Sequence, residues 1–144
     1  MLYSEKIKLA MNLSFGAHKN QLDKSGYPYF AHPLHLAEQM KDETTVIVAL
    51  LHDVVEDTEM SLKDISDLGF ETEITQALSL LTHDSNVPYM DYIKEIKKDP
   101  IATAVKIADL KHNSDLSRLD TVTDRDIERA QKYKQALYEL ENKA

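Results

Sequence analysis

The stretch VIVALLHDVVEDT, residues 46–58, has the composition of a buried segment that ionisable side chains interrupt. Six apolar residues in a row precede His52 and Asp53, and Glu56 and Asp57 follow after two valines. Burying such groups without partners costs several kcal/mol each, a large share of the net stability of a small domain. The sequence therefore predicts a compensating partner at this point, and a bound metal ion is the strongest candidate.

Hydrophobic periodicity alone leaves the conformation of this stretch open, because its β-branched residues would also suit a buried strand. A strand would send His52 and Asp53 to opposite faces of a sheet. On a helix these neighbours lie about 100° apart and can converge on one ion, with the next two carboxylates one turn further on. We therefore predict a central helix over residues 42–56, with Asp42 as its N-cap.

Signals for helices also fill the rest of the chain, whose 144 residues include only three glycines. Pro33 is expected at the first position of a helix, which would place His32 at its N-cap. Ser61 and Thr123 each begin a sequence pattern typical of a capping box. We predict an all-α fold, a compact bundle of roughly seven to eight helices, whose other segments are residues 4–19, 61–68, 71–82, 88–98, 101–117 and 123–142.

Length and composition limit the classes of protein to consider. The chain is 42% hydrophobic and long enough for one domain with a single core, but too short for two. Because it has no cysteine, a metal must be held by histidine, aspartate, glutamate or carbonyl oxygen. Such ligands favour one hard divalent ion, manganese above all, over structural zinc.

The charge and hydropathy of the chain indicate which partners to expect. A formal charge of −8 with dispersed lysines and arginines argues against a nucleic-acid surface. No basic leader and no apolar run of ~18 residues occurs, so we expect a cytoplasmic protein without a membrane partner. A small phosphorylated substrate remains compatible with the charge, because a metal and a few cations can reverse the local field. The sequence leaves the oligomeric state open.

Four candidate metal ligands come from three predicted helices. They are His32, the His52–Asp53 pair and Asp109. Asp109 continues a core-facing stripe of its helix, where an unpaired carboxylate would be costly. Two imidazoles and two carboxylates suit a single divalent cation that keeps positions open for water and substrate.

Each candidate also has a purely structural interpretation. His32 could cap its helix, and Asp109 could be the buried partner of Lys106 or Arg118. His35, one turn beyond His32, is expected to have a surface or packing role. A shared functional interpretation is favoured because the candidate ligands occur together in one short chain.

The candidate ligands resemble the H…HD…D pattern of the HD phosphohydrolase superfamily. More narrowly, AHKNQLDKSGYPYFAHPLHLA (17–37), ALLHDVVEDT (49–58) and VKIADLKHN (105–113) resemble the hydrolase domain of the Rel/SpoT family and the small alarmone hydrolases. At this length we expect one HD hydrolase domain over residues 1–144 and no nucleotide-synthesising domain. Such a chain could degrade an alarmone but not make one.

The resemblance implies a manganese-dependent removal of the 3′-pyrophosphate from guanosine tetraphosphate or pentaphosphate. It gives the four ligand roles to His32, His52, Asp53 and Asp109. Residues Glu56 and Asp57 match a pair that orients and deprotonates the attacking water in this family, although taken alone they would form a solvated helix end.

The resemblance also suggests where substrate is bound. Asn113, one turn after Asp109, matches a substrate-contacting asparagine, and His112 beside it is expected to line the substrate side. Tyr133 on the last helix is a further pocket candidate. The loop that leads to His32 supplies the remaining candidates for contacts with phosphates or a nucleotide ring, which are Lys19, Lys24, Ser25 and Tyr29.

Two segments depart from the family pattern. Asp23 stands where family loops commonly carry arginine, and Ser114-Asp115-Leu116-Ser117 follows Asn113 where MRTL is usual. If these acids weaken recognition of the alarmone, Asp23→Arg should raise catalytic efficiency through binding. The alternatives are a phosphatase for a nucleoside monophosphate or the 2′-phosphate of NADPH, and a non-catalytic HD domain that senses a ligand. The complete ligand set argues against the last of these.

Overall fold

The structure is a computed structural model that describes residues 1–142 of the chain. Within these residues the one β pairing is an isolated bridge between Leu22 and Pro28, so the all-helical class is confirmed. No helix in the described range is both long and apolar enough to cross a bilayer. The helices are α1 (Glu5–Ala17), α2 (Ala31–Glu38), α3 (Glu43–Leu51), α4 (Val54–Asp57), α5 (Leu62–Asp67), α6 (Thr72–Leu81), α7 (Tyr89–Ile96), α8 (Pro100–Asn113) and α9 (Asp124–Glu141), with a 3₁₀ turn at Leu116–Arg118.

Several helices begin where their capping residues predict. Asp42 accepts a hydrogen bond from the amide of Thr45 and starts α3. Ser61 and Thr123 form the two expected capping boxes at the starts of α5 and α9. The side-chain oxygens satisfy amides that have no partner inside the helix, which fixes where each helix starts.

Helix α2 begins earlier than predicted, with Phe30 in the N-cap position and no side-chain cap. His32 and Pro33 therefore lie inside the first turn, and the predicted N-cap role of His32 is wrong. The chain already coils before Pro33, because the amide of His32 donates to the carbonyl of Tyr29 at 2.9 Å. Proline is tolerated there because first-turn amides have no helical acceptor.

The predicted central helix is interrupted at His52 and Asp53, which separate α3 from α4. Nδ1 of His52 donates to the carbonyl of Ala49 at 2.7 Å. That carbonyl is the regular helical acceptor for the amide of Asp53, so the imidazole competes with the backbone ladder. An unbroken helix to residue 56 is therefore the wrong prediction. The break divides one predicted helix into two segments, so residues 1–142 contain nine α-helical segments, in agreement with the predicted bundle of roughly seven to eight helices.

Helix α3 is the centre of the bundle and explains the apolar run in the sequence. Every residue from Thr45 to Leu51 is buried, and the helix packs against α1, α2, α6 and α8. A helix surrounded on all sides needs no polar face. Its carboxyl-terminal end, where the ionisable residues follow, lies between α2 and α8.

Candidate metal centre

Three of the predicted ligands converge where α2, α3 and α8 meet. The ligand atoms of His32, His52 and Asp109 all lie within 4.8 Å of one another, and all three residues are buried. Oδ1 of Asp109 is 2.8 Å from Nε2 of His32 and 3.5 Å from Nε2 of His52. The fold thus brings two imidazole nitrogens to one carboxylate oxygen, an arrangement typical of divalent-metal sites.

Asp53, the fourth predicted ligand, borders this triad on its more open side. Its Oδ2 lies 3.1 Å from Nε2 of His52 and accepts a hydrogen bond from the hydroxyl of Tyr29. The Asp53 side chain is 18% exposed, against 5% for His52. Burial raises the pKa of Asp53, but the charge and hydrogen bond of His52 outweigh it and lower the value to about 2. A charged Asp53 is available as a ligand.

The tautomer of His52 provides a test of whether a metal fits these residues. Its Nδ1 carries the proton, because the carbonyl of Ala49 can only accept. Its Nε2 is buried and makes no hydrogen bond, yet it faces the carboxylates of Asp53 and Asp109. A lone pair aimed at two carboxylates requires a cation, either a proton or a metal, between them. Burial alone would lower the pKa of His52. The carboxylates of Asp53 and Asp109 outweigh burial and raise this pKa well above its usual value. The donor set fits a divalent metal.

Asp109 divides its two oxygens between the histidines and Lys106. Nζ of Lys106 is 2.9 Å from Oδ2, and Nδ2 of Asn113 donates to Oδ1 at 3.0 Å. Burial raises the pKa of Asp109, but Lys106 and the two histidines hold it well below its usual range. The structural interpretation of Asp109 as the partner of Lys106 is confirmed for one oxygen, and the other oxygen remains directed at the triad.

His112 has a closer connection to the centre than its sequence position indicates. Its Nδ1 lies 2.6 Å from Nδ1 of His32, and the ring of His35 packs against it with centroids 4.2 Å apart. Burial, together with the charge of Arg118, lowers the pKa of His112 to about 4. The one sequence signal for this contact is helical spacing, since His112 follows Asp109 by three residues.

Glu56 and Asp57 lie in α4, one turn beyond the ligand pair, and point to different neighbours. Oε1 of Glu56 accepts a hydrogen bond from the amide of His83 at 2.6 Å. Oδ2 of Asp57 is 3.5 Å from Nε2 of Gln21, which donates to it. Burial and the charge of Asp53 raise the pKa of Asp57. Both carboxylates are exposed, so water reaches them beside the centre.

A cavity of about 340 Å³ opens next to His32. Its walls are the 21–29 loop, the end of α8, the 3₁₀ turn and α9. Of the predicted substrate contacts, Lys24, Ser25, Tyr29, Asn113 and Tyr133 line it, whereas Lys19 is exposed and lies outside the lining. Sequence reasoning missed other charged or polar lining residues, which are Gln21, Arg118, Asp126 and Arg129.

Each lysine and arginine side chain that lines this cavity lies near a carboxylate that also lines it. Nζ of Lys24 is 3.2 Å from Oδ1 of Asp126, and Nη1 of Arg129 is 3.9 Å from that oxygen. Nη2 of Arg118 is 3.8 Å from Oδ2 of Asp23. The cavity is therefore a surface of alternating charges and not a uniformly basic one.

Asp23 shapes the loop that it belongs to. Its Oδ1 accepts hydrogen bonds from the amides of Ser25 at 2.9 Å and Tyr27 at 3.0 Å. An arginine could accept neither bond and would face Arg118 with a like charge. These contacts argue against the expectation that Asp23→Arg improves catalysis.

A helical bundle in which a histidine, a His-Asp pair and an aspartate meet defines the HD-domain class of phosphohydrolases. Mouse MESH1, a guanosine-3′,5′-bis(diphosphate) 3′-pyrophosphohydrolase, is 32% identical over 131 residues, which cover 80% of this chain and 73% of that protein. The chain belongs to the Rel/SpoT-type family of these hydrolases.

Other comparisons agree with this assignment. A probable GTP pyrophosphokinase of Mycobacterium leprae is 33% identical over 120 residues, and a guanosine-3′,5′-bis(diphosphate) 3′-pyrophosphohydrolase of Aquifex aeolicus is 31% identical over 123 residues. The match covers 74% and 77% of this chain but spans only 15% and 18% of those longer relatives. A solved metazoan SpoT ortholog that hydrolyses ppGpp has the same fold, with a TM-score of 0.79 at 23% identity over 97% of this chain and 87% of that one. No family model matches the chain.

Proposed function

We propose that this protein is a metal-dependent alarmone hydrolase that removes the 3′-pyrophosphate of guanosine tetraphosphate or pentaphosphate. The observation that carries the proposal is the buried meeting of His32, His52 and Asp109 beside a cavity of nucleotide-binding size. Mouse MESH1, which matches over most of its length, bears the name of this activity. The expected ion is manganese and the expected compartment is the cytoplasm.

The proposed ligands are His32, His52, Asp53 and Asp109, which leave coordination positions open. When bound, the cation would polarise a phosphoryl oxygen and lower the pKa of the attacking water. Asp109 would be held in one orientation by Lys106 and Asn113, which bond its two oxygens. Tyr29 would fix Asp53 in the same way through its hydroxyl.

Asp57 and Glu56 are the proposed acid–base groups. Of the two, Asp57 is the stronger candidate for accepting the proton of the water, because its raised pKa makes it the better base. Glu56 accepts a hydrogen bond from the amide of His83, which holds one carboxylate oxygen in place and suits the side chain to orienting water. The phosphate would enter from the cavity beside His32, where Lys24 and Arg118 are candidates for phosphate contacts.

A phosphatase acting on a less charged nucleotide is the second candidate. The observation that favours it is the pairing of Lys24 with Asp126 and of Arg118 with Asp23, which leaves less free positive charge for a polyphosphate. Such a cavity would bind a nucleoside monophosphate or NADPH with a smaller electrostatic penalty.

The identity of the products decides between these functions. Purified protein, stripped of metal and reloaded with manganese, is incubated with guanosine tetraphosphate, a nucleoside monophosphate and NADPH. We expect GDP and pyrophosphate from the alarmone, at the highest kcat/KM of the three substrates. Release of orthophosphate without pyrophosphate, or faster turnover of a monophosphate or NADPH, would move the protein to the second class.

The acid–base assignment has its own test. Glu56→Gln and Asp57→Asn are expected to keep metal affinity while kcat falls by about 10²-fold or more. The control is Glu59→Gln, which changes an exposed carboxylate just beyond α4. Near-wild-type rates in both variants at saturating manganese would mean that the pair is only a solvated helix end.

A further inference from the structure

We propose that His112 is a positioning residue that holds His32 in the tautomer able to bind metal, an inference that rests on the ligand role of His32 in the proposed function. The two imidazoles are joined nitrogen to nitrogen, with Nδ1 of His112 2.6 Å from Nδ1 of His32. A hydrogen bond of this kind needs one donor and one acceptor.

The ring geometry identifies this contact as a hydrogen bond and not as stacking. The ring planes are within 8° of parallel, and the centroids are 4.9 Å apart although the nearest nitrogens are only 2.6 Å apart. Two parallel rings can have both separations only if they lie edge to edge and extend away from each other in nearly one plane. The lone pair of one nitrogen is then aligned with the N–H of the other.

The direction of the bond follows from the chemistry of ligation. The other nitrogen of His32, Nε2, points to Asp109 and the metal position. A nitrogen that binds a metal must present its lone pair, so a neutral His32 must carry its proton on Nδ1. His112 must then accept that proton with Nδ1. Metal-binding histidines usually donate to a carboxylate, a carbonyl or water, and here the acceptor is a second imidazole.

The structure also fixes the position of His112. Its backbone lies in the last turn of α8, and its carbonyl accepts a hydrogen bond from Nη1 of Arg118 at 2.8 Å. The ring of His35 packs against its ring at a tilt of 31°. An acceptor held in this way restricts rotation of the His32 ring and helps to keep its Nε2 directed at the triad.

The matched variants are His112→Asn and His112→Leu. The asparagine oxygen occupies nearly the same position as Nδ1 and can accept, whereas leucine has a similar branched shape but no acceptor. We expect the manganese affinity of His112→Leu to fall by about 10- to 100-fold, the usual effect of losing a partner of a metal-binding histidine. His112→Asn should stay close to wild type, as should the control Lys111→Leu, which changes the exposed residue next to His112 on α8.

Two readouts are needed, and neither uses the substrate. Titration of manganese into chelator-treated protein gives the affinities, with thermal unfolding in chelator as the folding control. In zinc-loaded wild-type protein, ¹⁵N NMR should find the proton covalently on Nδ1 of His32, with a coupling through the hydrogen bond to Nδ1 of His112. Equal affinities of the leucine and asparagine variants, or a proton resident on His112, would overturn the inference. Wild-type protein that binds manganese but leaves the alarmone intact would instead refute the proposed function alone.

Discussion

Replacing Lys106 with methionine tests whether the carboxylate of Asp109 depends on a compensating cation. The pair is buried, with side-chain exposures of 13% for Lys106 and 7% for Asp109 at a separation of 2.9 Å. Burial lowers the pKa of Lys106, but the charge of Asp109 outweighs it and raises the value, so the lysine is charged in the folded protein. Methionine keeps the unbranched shape of the side chain and removes the charge.

The expected loss follows from what remains after the substitution. Removing one member of a buried ion pair costs about 3–5 kcal/mol, because the other charge stays buried without its partner. At about 4 °C per kcal/mol for a domain of this size, Tm in chelator should fall by roughly 10–20 °C. Manganese brings a second cation to Asp109, so the loss should be smaller in metal-loaded protein.

A pair at the protein surface gives the matched control. Lys63 and Asp67 also lie 2.9 Å apart, but their side chains are 82% and 62% exposed. Lys63→Met should therefore cost less than about 1 kcal/mol, with or without metal. Thermal unfolding of both variants, each with chelator and with manganese, completes the experiment. The reasoning fails if the two substitutions destabilise the chelated protein equally, or if manganese leaves the loss at Lys106 unchanged.

Two further predictions concern the cavity and the proposed base. Asp23→Arg should lower kcat/KM on the alarmone and reduce Tm, because the amides of Ser25 and Tyr27 lose the carboxylate oxygen that accepts from both, and the new arginine is repelled by Arg118. Higher efficiency at unchanged Tm would contradict the role given to Asp23. Gln21→Leu should move the acidic limb of the kcat/KM profile to higher pH by a fraction of a unit. The hydrogen bond from Gln21 stabilises the charged carboxylate and so lowers the pKa of Asp57, which must be deprotonated to act as a base. An unmoved limb would mean either that Asp57 is not the base or that this contact of 3.5 Å is not formed in solution.

Local signals in the sequence were sufficient to predict most helices. The caps at Asp42, Ser61 and Thr123 lie next to the helices they begin, and each satisfies amides within the same turn. The apolar run before His52 predicted a central helix in a different way, because a helix without a polar face must lie in the middle of the core. These features depend on neighbours a few residues away, which a sequence displays directly.

The errors occurred where one specific hydrogen bond, and not the hydrophobic pattern, determines where a helix begins or ends. The break after α3 depends on the His52 imidazole reaching the carbonyl of Ala49, and no pattern of hydrophobicity encodes that rotamer. The early start of α2 likewise comes from a turn that closes at Tyr29 before the proline. Both hydrogen bonds depend on how the folded chain packs around the site, which the local sequence does not show.

Contacts between distant segments explain what else was missed in the site. The proximity of His32 and Asp109 could be inferred, because buried ionisable groups must find one another. The link from His32 to His112 and the pairing of Arg118 with Asp23 join residues far apart in sequence. The helical spacing from Asp109 is the one local signal for His112. No local signal identifies Arg118 and Asp23 as a pair, because their residue types are common on protein surfaces.

The separation of the metal centre from the cavity wall has a consequence for how this protein can diverge. The candidate ligands come from α2, the end of α3 and α8, whose packing also forms the core, so changes there affect folding and the proposed chemistry together. Most of the wall beside them comes from the 21–29 loop, the 3₁₀ turn and α9, where residues such as Lys24 and Arg129 are at least partly exposed. Substitutions in this wall can therefore change the substrate preference with little loss of stability, while the residues of the candidate metal centre stay the same.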